Sequence, residues 1–143
     1  MLFGKKERRI TRILVVEDEP LVAFDTEHFL GSEGFEIVGT FDTVADARAM
    51  IESGEDIHLV LVDVNLSDGS GVSVAQAAAD RDIRVVFVTG NCPGEARALA
   101  VGCLAKPYAQ RDLLSAIHAL ETVMDGKTPK RLPSSFSLFA TVA

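Results

Sequence analysis

Two periodicities alternate along this chain. Unbroken apolar runs of strand length occur at Ile13-Leu14-Val15-Val16, at His58-Leu59-Val60-Leu61-Val62 and at Arg84-Val85-Val86-Phe87-Val88. A run over 35–40 containing Gly39, and the brief Cys103-Leu104-Ala105, predict two further strands. Continuous apolar runs suit strands covered on both faces, as in a parallel sheet. Segments of helical period separate them, and that alternation predicts βα units around such a sheet.

The helices are read from their starts and stops. Pro20 suits a first helical position, where its missing N–H costs nothing. Leu21, Phe24 and His28 then share a face, with Val22 and Phe29 adjacent, and Gly31 and Gly34 stop the helix. Thr43 with Asp46 predicts a cap for a second helix striped by Val44, Ala47, Met50 and Ile51 and ended by Gly54. Residues 64–71 read as a polar loop, and 72–79 as a helix of small residues able to approach a sheet closely. After Thr89 the breakers Gly90, Asn91, Pro93 and Gly94 leave only a short helix over 95–100. Leu113, Ile117, Leu120 and Met124 make the clearest stripe, closed by Gly126. Residues 127–133 have linker composition. Phe136, Leu138, Phe139 and Val142 beyond them read as a frayed segment, with docking on the domain or on a partner as the alternatives.

Composition narrows the functional classes. With 143 residues, 48% hydrophobic and 24% charged, the chain suits one core-forming domain. A net charge of −7 argues against nucleic-acid binding, which needs clustered Lys and Arg. No apolar run approaches the roughly 20 residues that cross a bilayer. The basic start lacks the apolar stretch of a signal peptide. These features predict a cytoplasmic protein with no membrane partner, in which Cys92 and Cys103 are reduced. The expected division is an extension over 1–10, a domain over 11–126 and a tail over 127–143 without an output domain.

The chemistry lies at the strand ends. In order they carry Glu17-Asp18, Asp63, Thr89-Gly90 and Lys106-Pro107, and the carboxyl edge of an open parallel sheet is where ligands bind. A carboxylate such as Asp63 is able to attack phosphorus and form an acyl phosphate. Two anions repel, so the reaction wants a cation, and Mg2+ prefers oxygen donors. Asp18 and Asp63 are direct candidates, with a backbone carbonyl near Asn65 and with Glu17 acting through water. Lys106 supplies a point charge to the phosphoryl group, and Thr89 a hydroxyl. Catalysis of this kind is positioning and electrostatics.

This pattern resembles the receiver domain of two-component response regulators. Residues 13–20 are similar to that family's first strand and acidic pair, and 59–63 to the strand bearing its phospho-accepting aspartate. Thr89 matches its switch hydroxyl and Lys106-Pro107 its lysine and following proline. The resemblance covers residues 12–125. It implies a five-stranded parallel sheet in flavodoxin-like order 2-1-3-4-5, flanked by five helices, and a cis Lys106-Pro107 bond. It also implies Mg2+ as cofactor, and a sensor histidine kinase or phosphotransfer protein as partner. The chain itself would be no enzyme beyond assisting its own phosphorylation and dephosphorylation. Phe87-Val88-Thr89-Gly90 resembles the Phe-Ala-Thr-Gly signature of a subclass of single-domain receivers common in alphaproteobacteria. Two features depart from the family. Cys103 stands where receivers usually carry an aromatic, and the path from Thr89 to Lys106 is short and rich in breakers.

The expectation is a stand-alone response regulator acting through protein contacts, or as a phosphate shuttle or sink. The alternative is a phosphorylation-independent interaction module that keeps the fold. An aspartate-nucleophile phosphatase would want a second Asp two places after Asp63, where Asn65 stands. A flavin carrier would want a Gly- and hydroxyl-rich loop where Glu17-Asp18-Glu19-Pro20 stands. His28, His58 and His118 read as structural or surface residues, Cys103 as a small buried hydrophobe, and Tyr108 as packing beside Pro107.

Overall fold

The structure, a computed structural model, describes residues 8–139. Expectations for residues 1–7 and for Val142 lie outside the described residues. The elements are β1 (Arg12–Val16), α1 (Pro20–Ser32), β2 (Glu36–Phe41), α2 (Val44–Glu52) and β3 (Leu59–Val62). A hairpin of β4 (Asn65–Leu66) and β5 (Gly69–Ser70) leads into α3 (Gly71–Ala79). Then come β6 (Arg84–Thr89), α4 (Ala96–Leu99), β7 (Gly102–Ala105), α5 (Gln110–Met124) and β8 (Phe136–Leu138).

The main sheet has the order β2-β1-β3-β6-β7-β8. The first five strands pair in parallel, so the expected 2-1-3-4-5 order holds for the parallel strands. The Lys106-Pro107 bond is cis, as expected. Side chains alternate between the two faces because successive Cβ atoms in a strand point opposite ways. Leu14, Val60, Val62, Val85 and Phe87 pack beneath α2 and α3. Ile13, Val15, Leu59, Leu61, Val86 and Val88 pack against α5 and the end of α1. Among the described residues no helix is long and apolar enough to cross a membrane.

Four local expectations change. The Leu21, Phe24 and His28 face of α1 points outward, with Leu21 79% and Phe24 64% exposed. The buried stripe is Ala23, Thr26 and Leu30, because Leu30 fills a pocket with Ile10, Ile13 and Phe35 and the Thr26 hydroxyl meets Tyr108 Oη at 3.1 Å. Gly31 lies inside α1 rather than ending it, and the left-handed Gly34 (φ 94°) makes the stop. The 64–71 loop contains the small hairpin. The segment read as frayed instead adds a sixth strand: β8 runs antiparallel to β7, and Phe136 and Phe139 are buried. Sequence period gave no sign of a three-residue strand whose partner lies far away along the chain.

Part of the expected N-terminal extension is also docked. Ile10 is fully buried, and the Glu121 carboxylate accepts the Arg9 and Ile10 N–H groups at 2.8 and 3.0 Å.

Candidate functional site

Strand register assembles the site. Val16 pairs with Val62, Val62 with Phe87 and Thr89 with Ala105. The residues that follow these strands therefore emerge side by side on one edge, and Glu17, Asp63, Thr89 and Lys106 stand along it.

Lys106 is the hub. Its Nζ lies 2.7 Å from Glu17 Oε1, 2.8 Å from Asp63 Oδ2 and 2.9 Å from Glu19 Oε1. Burial alone would lower its pKa, but the bonds to Asp63, Glu17 and Glu19 outweigh burial and raise it above the ordinary lysine range. The ammonium therefore stays charged at any ordinary pH. Glu17 is 5% exposed, and burial raises its pKa despite the opposing bonds from Lys106 and the Glu19 N–H. A buried carboxylate with an elevated pKa is one that gains from a nearby cation.

One oxygen each from Glu17, Asp18 and Asp63 lies within 4.8 Å of the others. Three carboxylates with no sulfur or imidazole make a hard donor set, which suits Mg2+ better than a softer metal. Asp63 is 7% exposed, and its second oxygen, Oδ1, accepts the Asn65 N–H at 3.1 Å. The β4–β5 hairpin pairs Asn65 with Ser70 and so holds the Asn65 backbone beside Asp63. Behind it Gly71 approaches so closely that a methyl there would run into the Asp63 carbonyl oxygen.

Thr89 shares the edge but not the bonds. Its hydroxyl donates to Asn91 O and accepts from Asn91 N–H, both at 3.3 Å, and the side chain is buried. Cys103 is a buried free thiol and Cys92 an exposed one. His58 Nδ1 accepts the Thr11 and Arg12 N–H groups at 3.0 and 3.2 Å, a contact that joins the approaches to β1 and β3 away from the site.

Sequence reasoning passed over two participants and a cavity. Glu19 is a third carboxylate on Lys106, and its only signal was its place beside the acidic pair. Asp68, read as loop, accepts the Val44 and Ala45 N–H groups at 2.6 and 3.2 Å. The Val44 bond leads in holding its pKa below the ordinary aspartate value, and it ties the hairpin to the start of α2. Beside Lys106 opens a cavity of about 460 Å3 lined by Glu19, Val22, Asp25, Thr26 and Tyr108.

Fold and edge together define a flavodoxin-like α/β domain with a lysine-bridged acidic cluster at its ligand-binding end. The sequence profile of the response regulator receiver domain matches residues 13–118, and the chain belongs to that family. Its members are signalling domains of two-component systems that accept phosphate on an aspartate and bind Mg2+ at an acidic pocket. The chain is 33% identical over 115 residues to the transcriptional regulatory protein PdtaR of Mycobacterium tuberculosis, covering 74% of this chain and 54% of that protein. It thus spans about half the length of the curated relatives it matches. A CheY-like receiver domain protein from Methanospirillum hungatei superposes with a TM-score of 0.73 at 28% identity, over 82% of this chain and 98% of that one. The BeF3-activated conformation of SdrG from Pseudomonas melonis Fr1 gives a TM-score of 0.63 at 41% identity, over 78% and 96% respectively.

Proposed function

We propose that this chain is a response regulator that receives a phosphoryl group on Asp63 from a histidine kinase or phosphotransfer protein. One observation carries the reading: a permanently charged Lys106 bridges a buried aspartate and a buried glutamate, a constellation with no use in packing alone. Asp18 and Asp63 would hold Mg2+ directly, the backbone carbonyl near Asn65 would complete the protein's share, and Glu17 would act through water. When bound, the ion offsets charge on the transferring phosphoryl group.

The remaining work falls to side chains. An Asp63 oxygen forms a bond to phosphorus as the phosphorus–nitrogen bond of the donor phosphohistidine breaks, and the electron pair leaves with the imidazole. Lys106 already contacts Asp63 Oδ2 and would follow the incoming oxygens, holding negative charge as it accumulates. The Asn65 N–H on Oδ1 orients the carboxylate. Thr89 would exchange its Asn91 contacts for a phosphoryl oxygen. Output would run through protein contacts, as a switch or as a sink that drains phosphate from a kinase.

The test is intact-mass analysis after incubation with acetyl phosphate and Mg2+. Wild type should gain one phosphoryl group and Asp63→Asn none. Equal labelling of Asp63→Asn would remove the assignment. Absence of labelling in both would favour a phosphorylation-independent module, the reading to which the small Cys103 lends itself.

A further inference from the structure

β7 has two neighbours with different allegiances. On one side β6 ends at Thr89, whose carbonyl accepts the Lys106 N–H at 3.0 Å. On the other side the residues flanking β8 take the Ala105 N–H on Ser135 O at 2.8 Å and give the Phe139 N–H to Val101 O at 3.0 Å. The residue before Lys106 is thus bonded directly to the segment that carries β8.

Two rings fasten that segment, one on each face of the sheet. Phe136 belongs to the core on the α5 face. It occupies space that only Gly102 leaves open, since a Cβ there would stand 2.6 Å from the ring. Phe139 belongs to the opposite core, with Ala96, Ala100 and Cys103, and the Arg97 guanidinium lies 4.8 Å over its ring. The seat of Phe139 is therefore built from the segment that starts at Thr89. Beyond these the Ser135 hydroxyl donates to Asp112 Oδ2 on α5 at 3.2 Å, but β8 has only three residues, and Gly126, Lys127, Thr128, Lys130, Arg131 and Leu132 before it are exposed.

We propose that β8 is a strap whose docking is coupled to the Asp63 site, and that phosphorylation of Asp63 releases it. The inference rests on the reading of Asp63 as phosphoryl acceptor. At rest the Thr89 hydroxyl is tied to the Asn91 backbone in both directions. A phosphoryl oxygen on Asp63 is a stronger, charged acceptor for that hydroxyl. Drawing Thr89 toward it loosens Asn91 and with it the turn into α4, which is only four residues long. Ala96, Arg97 and Ala100 then no longer frame Phe139, and a three-residue strand does not hold the edge alone.

Amide hydrogen exchange on the full chain with Mg2+, with and without beryllofluoride, tests this. The Ala105 and Phe139 amides, which bond across the β7 edge, should exchange about fivefold faster or more with beryllofluoride, the lower end of usual coupling. Unchanged or slower exchange there, with amides around Asp63 shifted, would overturn the strap and leave the acceptor reading intact. No shift anywhere would remove the acceptor reading and the strap with it. Linkage is reciprocal, so Phe136→Ala, which frees the strap in advance, should bind beryllofluoride tighter by the same factor. Unchanged affinity in a folded variant overturns the coupling, and if that variant fails to fold the wild-type exchange ratio decides alone.

Discussion

The half of the sheet ending in Glu17, Asp18 and Asp63 and the half ending in Thr89 and Lys106 share one topology but are held differently. In the first half the connections that follow β2 and β3 at the ligand edge are locked. Asp68 caps α2, the Thr43 hydroxyl accepts the Asp46 N–H at 3.1 Å, and Gly71 presses against the Asp63 backbone. In the second half the path from Thr89 to β7 contains a four-residue helix, and its outer edge is closed by three residues of β8. Rigid placement serves chemistry that depends on position. Motion is drawn from elements of low local stability. On the proposed function, one domain would thus separate where phosphate is received from where its arrival is felt.

Substituting a glycine on each side separates the two most sharply. Gly71→Ala drives a methyl into the carbonyl oxygen of Asp63, a backbone atom fixed between β3 and the hairpin. Overpacking costs about 1–3 kcal/mol and more where backbone must move, so the upper end is expected. A lowered urea midpoint should accompany loss of phosphoryl labelling. A variant as stable and as readily labelled as wild type would mean that the first half is not locked as described. Gly102→Ala is milder. All three of its close contacts, to two atoms of the Phe136 ring and to Ser137 O, lie on β8, which is able to lift away. The loss should stay near the lower end, about 1 kcal/mol, with labelling of Asp63 retained and the Ala105 amide exposed to exchange.

The asymmetry also explains what could be read from the sequence. Strand ends carrying Asp63 and Lys106 were legible because buried parallel strands are written as continuous apolar runs, and polar groups interrupt them abruptly. The α1 face was not. Leu21, Phe24 and His28 have the same spacing as Ala23, Thr26 and Leu30, so period alone does not choose between them. Larger residues favoured the wrong stripe, and the hydroxyl pair of Thr26 with Tyr108 belongs to the right one. Gly71, Asp68 and the match of Gly102 to Phe136 act through partners distant along the chain or through backbone approach. No local pattern announces such contacts. The strap escaped for the same reason, since Phe136 and Leu138 on one face with Ser137 between them are too few to set a period.

Tyr108 gives the finest probe of the joint between the halves, because it follows Lys106-Pro107 and reaches back to α1. Its phenol is half-buried, and burial leads in raising its pKa above the ordinary 10.0, while the bond with Thr26 lowers it. The protein has one tyrosine and no tryptophan, so phenolate absorbance on alkaline titration reports this group alone. The folded midpoint is raised relative to the unfolded one. The neutral phenol therefore contributes stability that is fully present below pH 10.0 and is lost as pH rises through the folded value. The native midpoint should lie above 10.0 and fall to about 10 in denaturant. Thr26→Val removes the hydrogen bond that favours the phenolate and should move the native midpoint higher still, a small shift with no loss of Asp63 labelling. A native midpoint at the unfolded value would place Tyr108 in water. The stretch after Lys106 would then be as loosely held as the strap, and Lys106 would have no firm tie back to the rigid half.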